Sequence, residues 1–204
     1  MPKTDIFITG VGGQGSLSAS RFLGEAAVKA GYKVLVGEIH GMAQRGGIVE
    51  STVRIGEVHG PVIPDGQADV VLGFEPVETL RALPKASAET LVITNTHPIV
   101  PPLVSMKGEK YPETDDVLDR IRAFCKRVIA LDATALAQQI GNVQTLNTIL
   151  LGIVAGAGVL PFSTDHLRDV IFTSVPKRAL EVNKKAFATG LNLGAEQASP
   201  QPVT

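Results

Sequence analysis

Short apolar runs alternate with amphipathic segments along most of this chain. The first run, residues 5–9, leads through a glycine-rich loop into a helical pattern over residues 16–30. Apolar runs that are typical of buried strands follow at residues 32–38, 68–74, 91–95 and 128–131. Runs that are apolar on both faces and separated by helices predict a parallel sheet covered on both sides. We therefore expect an α/β fold, namely a Rossmann-like, doubly wound, mostly parallel sheet in three layers.

One segment departs from this alternation of strand and helix. After the second predicted strand, Val49, Ser51, Val53 and Ile55 recur at every second position and so share one face. Period-two alternation is typical of a strand with one exposed face. An antiparallel or edge strand is therefore expected where a second crossover helix would normally stand.

A late stretch, residues 145–156, carries no charge and is apolar nearly all round. It is shorter than the roughly twenty residues needed to cross a bilayer, so it predicts a buried central helix. Small residues at Gly152, Ala155 and Gly156 would let another backbone approach closely, either in the core or across a subunit interface.

The end of the chain predicts one more helix, over residues 176–188, which we expect to end at Gly190. Residues from 195 onward contain two prolines and no apolar run, which is typical of a disordered tail. The predicted organisation is therefore a single domain over residues 1–194 and a disordered tail over residues 195–204.

Composition and charge exclude several functions. The net charge of −1 and the absence of a basic stripe argue against a nucleic-acid partner. One cysteine, Cys125, cannot supply the four thiolates of an iron–sulfur cluster, and the four histidines lack metal-ligand spacing, so no metal site is expected. The chain starts with a strand pattern rather than a targeting segment. We therefore expect a cytoplasmic chain without a membrane partner. Because this chain lacks cluster ligands, any redox centre must lie on another chain.

The most informative motif is the loop after the first strand, with the sequence GVGGQG at residues 10–15. Glycines at this spacing allow a tight turn and bring backbone N–H groups close to a ligand, and the helix that follows directs its positive end at the loop. This pattern favours phosphate or pyrophosphate binding. The alternative is that the glycines only permit a close turn from strand to helix. The candidate contacts are Gly10, Gly12, Gly13, Gln14 and Gly15.

Glu38 stands at the end of the second predicted strand, where an acidic residue binds the ribose in dinucleotide enzymes. It is therefore a candidate cofactor contact. Alternatively, Glu38 forms an ion pair with Arg45 in the loop that follows.

Three features together resemble the gamma-subunit family of 2-oxoacid:ferredoxin oxidoreductases. They are the loop at residues 10–15, the Arg45-Gly46-Gly47 sequence after the second strand, and Asn147 on the late apolar helix. The resemblance covers residues 5–190. Within the family, residues 41–47 and 60–64 are most similar to the beta subunit of the indolepyruvate enzymes.

The resemblance implies a division of labour between two subunits. A large partner is expected to carry thiamine diphosphate, Mg and 4Fe–4S clusters, and this chain to complete the complex without catalytic residues of its own. The complex would oxidatively decarboxylate an aryl 2-oxoacid such as indolepyruvate, reduce ferredoxin and form acyl-coenzyme A. The isolated chain is expected to be inactive.

Coenzyme A is associated with the equivalent domain of related single-chain enzymes, so the resemblance gives the glycine loop a ligand. Its phosphates suit backbone N–H groups at residues 12–15. Arg45, which Gly46 and Gly47 follow directly, would pair with a phosphate or carboxylate, or else form a salt bridge between subunits. A buried Asn147 is expected to hydrogen-bond within the core rather than to a ligand.

Two other functions stay open at this point. A self-sufficient NAD(P)-binding enzyme would use the glycine loop and Glu38, although the inserted strand pattern disfavours it. A non-catalytic scaffold subunit would have an empty crevice and dock its partner through the apolar helix.

Overall fold

The computed structural model describes residues 3–40, 47–101 and 110–198. This part of the chain contains the strands β1 (Thr4–Val11), β2 (Val34–His40), β3 (Ile48–Ile55), β4 (Val70–Gly73), β5 (Leu91–Asn95) and β6 (Arg127–Leu131). Its helices are α1 (Ser16–Lys29), α2 (Pro76–Arg81), α3 (Thr114–Phe124), α4 (Ala133–Ile140), α5 (Leu146–Gly156), α6 (Thr164–Ser174) and α7 (Leu180–Ala198). Short 3₁₀ turns lie at Leu83–Lys85, Val143–Thr145 and Lys177–Ala179.

All six strands form one sheet in the order β2-β3-β1-β4-β5-β6. The pairs β1–β4, β4–β5 and β5–β6 are parallel, whereas β3 is antiparallel to both β1 and β2. The expected antiparallel strand is therefore confirmed, but it does not lie at the edge. It is inserted between β1 and β2, so β2 is the edge strand and the first two strands are not neighbours.

Helices cover both faces of the sheet and make three layers, as predicted. On one face, α1 and the helices α4 to α7 pack on the larger core cluster, which includes Ile8, Val53 and Leu72 from the sheet. On the other face, α2 and α3 pack on a smaller cluster that includes Phe7 and Val71. The buried face of β3 is the one that the sequence pattern predicts, since Val49, Ser51, Val53 and Ile55 are all buried.

Helices α5 and α7 pack with their backbones in close contact. A Cβ atom built on Gly152 or Gly156 would lie 2.6 Å or 2.1 Å from a carbonyl oxygen of α7. One built on Gly190 or Gly194 would lie 2.1 Å or 2.3 Å from a carbonyl oxygen of α5. We refer to these residues as the four-glycine contact. The glycines of the apolar helix therefore permit close helix packing within the core of this chain.

The prediction that the last helix ends at Gly190 is wrong, because α7 continues to Ala198. Gly190 is there for close packing against α5 rather than for a helix stop. Residues 195–198, predicted as the start of a disordered tail, are helical, and residues 199–204 lie outside the described part of the chain. The single domain remains a prediction.

A buried ion pair joins the first residues of β1 to the end of β3. Asp5 on β1 is fully buried and receives two hydrogen bonds from Arg54 on β3, at 2.9 Å and 3.1 Å. The remaining guanidinium nitrogen of Arg54 donates to the carbonyl oxygens of Gly60 and Val62. The pair thus joins two strands to the loop that follows β3.

Helix α3 ends at Phe124, and Cys125 follows it. Phe124 is 47% exposed, whereas Cys125 just beyond the helix is buried. Burial raises the pKa of the Cys125 thiol. Within the described ranges, no helix has both the length and the apolar character required of a membrane span, and the predicted cytoplasmic location stays a prediction.

Candidate functional site

The crevice between β1 and β4 is the natural ligand site of this sheet. These strands are parallel neighbours, and the helices that follow them, α1 and α2, pack on opposite faces. Ligands of open α/β sheets bind at such a switch point, outside the carboxyl ends of the strands. The loop at residues 10–15 lies at this end of β1.

Gln14 fixes the shape of the glycine loop. Its side-chain oxygen accepts a hydrogen bond from the N–H of Val11 at 2.7 Å, and its side-chain nitrogen donates to the carbonyl of Phe74 at 2.7 Å. The backbone N–H of Gln14 donates to the carbonyl of Val11. Gln14 therefore holds the loop against β4, and we do not count it among the groups available to a ligand.

Gly13 and Gly15 adopt positive φ angles of 104° and 91°, which favour glycine. Gly15 is the N-terminal capping position of α1 and makes no side-chain cap. In the described part of the chain, the N–H groups of Gly13, Gly15 and Ser16 have no acceptor. They line a cavity of about 480 Å³ together with Gly12 and residues 17–18. Unpaired N–H groups at the positive end of a helix suit an anion.

Two further predicted residues have structural contacts beside the loop. A Cβ atom on Gly10 would lie 2.7 Å from the Cβ of Phe74, so Gly10 permits close packing against the end of β4. Gly47 accepts a hydrogen bond at 2.9 Å from the N–H of Gly12 through its carbonyl oxygen. Arg45 and Gly46 lie outside the described residues.

Glu38 does not stand beside the loop as the dinucleotide analogy expects. Strand β3 separates β2 from β1, and neighbouring strands are about 4.8 Å apart. The carboxylate of Glu38 is exposed and lies 3.4 Å from the hydroxyl of Ser20 on α1. The site that we propose below therefore omits Glu38.

Asn147 lies beside the loop rather than deep in the core, and its role stays a prediction. It stands in the first turn of α5, half-buried, and its side chain lies 3.3 Å from the position of a Cβ on Gly15. Its side-chain oxygen accepts from the N–H of Thr148 at 2.9 Å. The side-chain nitrogen of Asn147 has no hydrogen-bond acceptor among the described residues.

A second cavity, of about 450 Å³, adjoins the loop on the side of Asn147. We call it the arginine cavity, because Arg21 of α1 and Arg178 of the turn before α7 line it. Neither arginine could be predicted as a site residue, since nothing in the local sequence distinguishes them from solvated surface arginines. Its other polar lining residues are Ser18, Asn142, Gln144, Asn147, Thr148, Ser174 and Asn183.

Two carboxylates that the sequence analysis also missed lie at the start of α2. Glu75 is buried and caps the helix by accepting from the N–H of Glu78 at 2.9 Å. Glu78 is buried too; one oxygen accepts from Arg81 at 2.6 Å, and the other has no partner in the described ranges. Burial raises the pKa of Glu78, with Glu75 and Glu50 adding to the rise and Arg81 opposing it.

This raised pKa predicts a pH effect on stability. A carboxyl whose pKa is higher in the folded than in the unfolded state stabilises the fold below its unfolded pKa, and this contribution is lost as pH rises through the folded pKa. The free energy of unfolding of wild type relative to Glu78→Gln should therefore fall as pH rises above the ordinary carboxyl pKa of about 4. Urea titrations of both proteins at several pH values measure this difference in the free energy of unfolding. A difference that stays constant or grows with pH would contradict the prediction.

Together, the sheet order and the glycine loop define a three-layer α/β protein with a glycine-rich loop at its switch point. The Pyruvate ferredoxin/flavodoxin oxidoreductase family matches residues 5–193. The Indolepyruvate oxidoreductase subunit IorB of Pyrococcus horikoshii is 46% identical over 198 residues, which cover 96% of this chain and 98% of that protein. The chain therefore belongs to the pyruvate ferredoxin/flavodoxin oxidoreductase family, and it is a subunit of an oxoacid oxidoreductase, as predicted.

Solved structures show the same fold. The gamma subunit of a keto/oxoacid ferredoxin oxidoreductase from Geobacter sulfurreducens matches with a TM-score of 0.68 and 21% identity, over 95% of this chain and 99% of that one. A 2-oxoglutarate:ferredoxin oxidoreductase chain from Magnetococcus marinus, solved with 2-oxoglutarate, coenzyme A and succinyl-CoA bound, matches with a TM-score of 0.73 and 19% identity. The match spans all of this chain and 33% of that one. The predicted fold class is confirmed.

Proposed function

We propose that this chain is the non-thiamine subunit of an indolepyruvate:ferredoxin oxidoreductase and that its glycine loop binds coenzyme A. The substrate follows the name of the Pyrococcus horikoshii relative, which is similar along nearly the whole chain. The large partner subunit would hold thiamine diphosphate, Mg and the 4Fe–4S clusters, and would pass electrons to ferredoxin. Decarboxylation and electron transfer belong to those cofactors.

The observation that carries the proposal is the open loop at the start of α1. Gly13, Gly15 and Ser16 line a cavity of about 480 Å³, and their N–H groups have no acceptor among the described residues. Pyrophosphate carries negative charge and accepts hydrogen bonds, so it fits this surface. Coenzyme A supplies a pyrophosphate, and the relative from Magnetococcus marinus was solved with coenzyme A bound.

The self-sufficient NAD(P) enzyme has less support. Strand β3 stands where the ribose-binding strand of a dinucleotide fold would lie beside β1, and Glu38 sits on the edge strand beyond it. A scaffold with an empty crevice remains the alternative that the experiment below must separate.

The experiment places a charge at Gly13, where a Cβ would meet no atom within 4 Å. Gly13→Asp sets a carboxylate against the bound pyrophosphate, whereas Gly13→Asn has the same size and the same backbone cost without the charge. Repulsion between a carboxylate and a nearby phosphate weakens binding by several kcal/mol when the charges are poorly screened. The KM for coenzyme A in the assembled complex should therefore be about 100-fold higher with Asp than with Asn.

Salt is a further control, since a repulsion between charges must shrink at high ionic strength. Equal KM values for coenzyme A in the two variants, with folding intact, would contradict the proposal and favour the scaffold. A rise in KM for the oxoacid alone would place the loop at another step of the reaction.

A further inference from the structure

We propose that the arginine cavity is a second anion site, which binds the 3′-phosphate of coenzyme A. The inference rests on the proposed function, because it takes the pyrophosphate of the same molecule to lie at the glycine loop. It assigns a role to a cavity that neither the family match nor the glycine motif addresses.

The two cavities adjoin one another along α1. Ser18 lines both of them. Asn147 lines the arginine cavity and lies beside Gly15 of the loop. Two anionic groups of one ligand would therefore occupy adjoining cavities.

The charge of the arginine cavity favours a phosphate. Arg21 and Arg178 line it, and no acidic side chain of the described residues does. Arg178 has no carboxylate partner among the described residues, in contrast to Arg168 of α6, which pairs with Asp165 and Asp169. Arg21 contacts the carboxylate of Glu25 at 3.7 Å, and its guanidinium carbon lies 5.3 Å from the centre of the Phe22 ring. Guanidinium groups bind phosphate oxygens through paired hydrogen bonds.

The floor of the arginine cavity is fixed in place. Thr148 donates to the side-chain oxygen of Asn183 at 2.6 Å, and both residues are buried. The side-chain nitrogen of Asn183 donates to the carbonyl of Ala179 at 2.8 Å. Ala179 directly follows Arg178, so this chain of bonds sets the position of the arginine relative to α5 and to Asn147. Such preorganisation lowers the cost of ordering a ligand.

The two cavities differ in the phosphate chemistry that they suit. Backbone N–H groups at the loop match the single charges of a pyrophosphate diester, whereas two guanidinium groups match the nearly doubly charged phosphate monoester. Coenzyme A carries both groups. NAD and dephospho-coenzyme A carry the pyrophosphate alone, so they should lack the second set of contacts.

Calorimetry tests the inference by comparing the binding of coenzyme A with that of dephospho-coenzyme A. The sample is the assembled complex, purified through a tag on this chain. Wild type should prefer coenzyme A by about ten-fold or more, the value of one charged hydrogen-bond pair. Arg178→Gln should weaken coenzyme A binding by about the same factor and leave dephospho-coenzyme A binding unchanged. Lys177→Gln removes a neighbouring cation that does not line the cavity, and it should change neither.

The outcomes separate the inference from the proposed function. If Arg178→Gln weakens both ligands equally, or neither, the arginine cavity does not bind the 3′-phosphate although coenzyme A still binds. If neither ligand binds the wild-type complex, the proposed function fails as well. Arg21→Gln on the other wall repeats the test, should Arg178→Gln prevent assembly, and it should show the same selective loss.

Discussion

Replacing Gly190 with Ala should destabilise the chain by about 3 kcal/mol or more, because it forces a methyl group into a packed backbone contact. The new Cβ would lie 2.1 Å from the carbonyl oxygen of Ile149 and 3.0 Å from the Cα atom of Gly152. Alanine normally stabilises the interior of a helix relative to glycine by about 1 kcal/mol. The expected change in the free energy of unfolding therefore has the opposite sign to the change that helix propensity predicts. Urea unfolding of the purified chain measures it.

Gly24 offers a matched control for this prediction. It also lies inside a helix, but a Cβ there would meet only the end of the Val36 side chain, at 3.0 Å. Because a side chain yields more easily than a backbone, Gly24→Ala should change the free energy of unfolding by no more than about 1 kcal/mol. Equal effects of the two substitutions would argue against the four-glycine contact.

The contact between α5 and α7 also bears on the site. Asn147 stands at the start of α5, and Arg178 precedes α7, so the relative position of these helices sets the width of the arginine cavity. A chain that tolerates Gly190→Ala by separating the two helices should lose its preference for coenzyme A over dephospho-coenzyme A.

Asp5→Asn should cost about 3–5 kcal/mol of unfolding free energy, because it leaves the buried guanidinium of Arg54 without its counter-charge. Arg54 is 9% exposed and donates two hydrogen bonds to Asp5, so water cannot replace the carboxylate. Chemical denaturation of the full chain measures this loss as a shift of the midpoint.

A surface ion pair provides the comparison. Asp65 pairs with Lys85 at 2.7 Å, but its side chain is 73% exposed. Asp65→Asn should therefore cost less than about 1 kcal/mol. In addition, Asp5→Asn should cost less in an Arg54→Met background than in wild type, since the stranded charge is then gone. Additive effects would show that the two residues do not act as a pair.

Local patterns in the sequence predicted much of this fold correctly. The alternation at Val49, Ser51, Val53 and Ile55 identified the buried face of β3. It did not reveal that β3 lies between β1 and β2, because that position depends on pairing of Val11 with Ile48 and of Val34 with Ile55. Such pairing is a property of the whole sheet rather than of any one segment.

Gly190 shows a second limit of local reasoning. A glycine near the end of a helical pattern reads as a stop, yet the same residue type also permits close helix packing. Only the partner, α5, decides between the two, and it lies about forty positions earlier in the chain.

The candidate site was only partly predictable for the same reason. The glycine loop is a continuous motif, so its position between the first strand and the first helix follows from the local sequence. Arg178 and Asn183 are more than 160 residues away from that loop and belong to no motif. The sequence alone also did not show that the side chain of Gln14 is committed to Val11 and Phe74.

A structure of the assembled complex with coenzyme A bound would show directly whether the glycine loop binds the pyrophosphate. We expect the pyrophosphate to accept hydrogen bonds from the N–H groups of Gly13 and Gly15 on this chain. Coenzyme A ordered on the large subunit, with its pyrophosphate out of hydrogen-bond range of this loop, would contradict it.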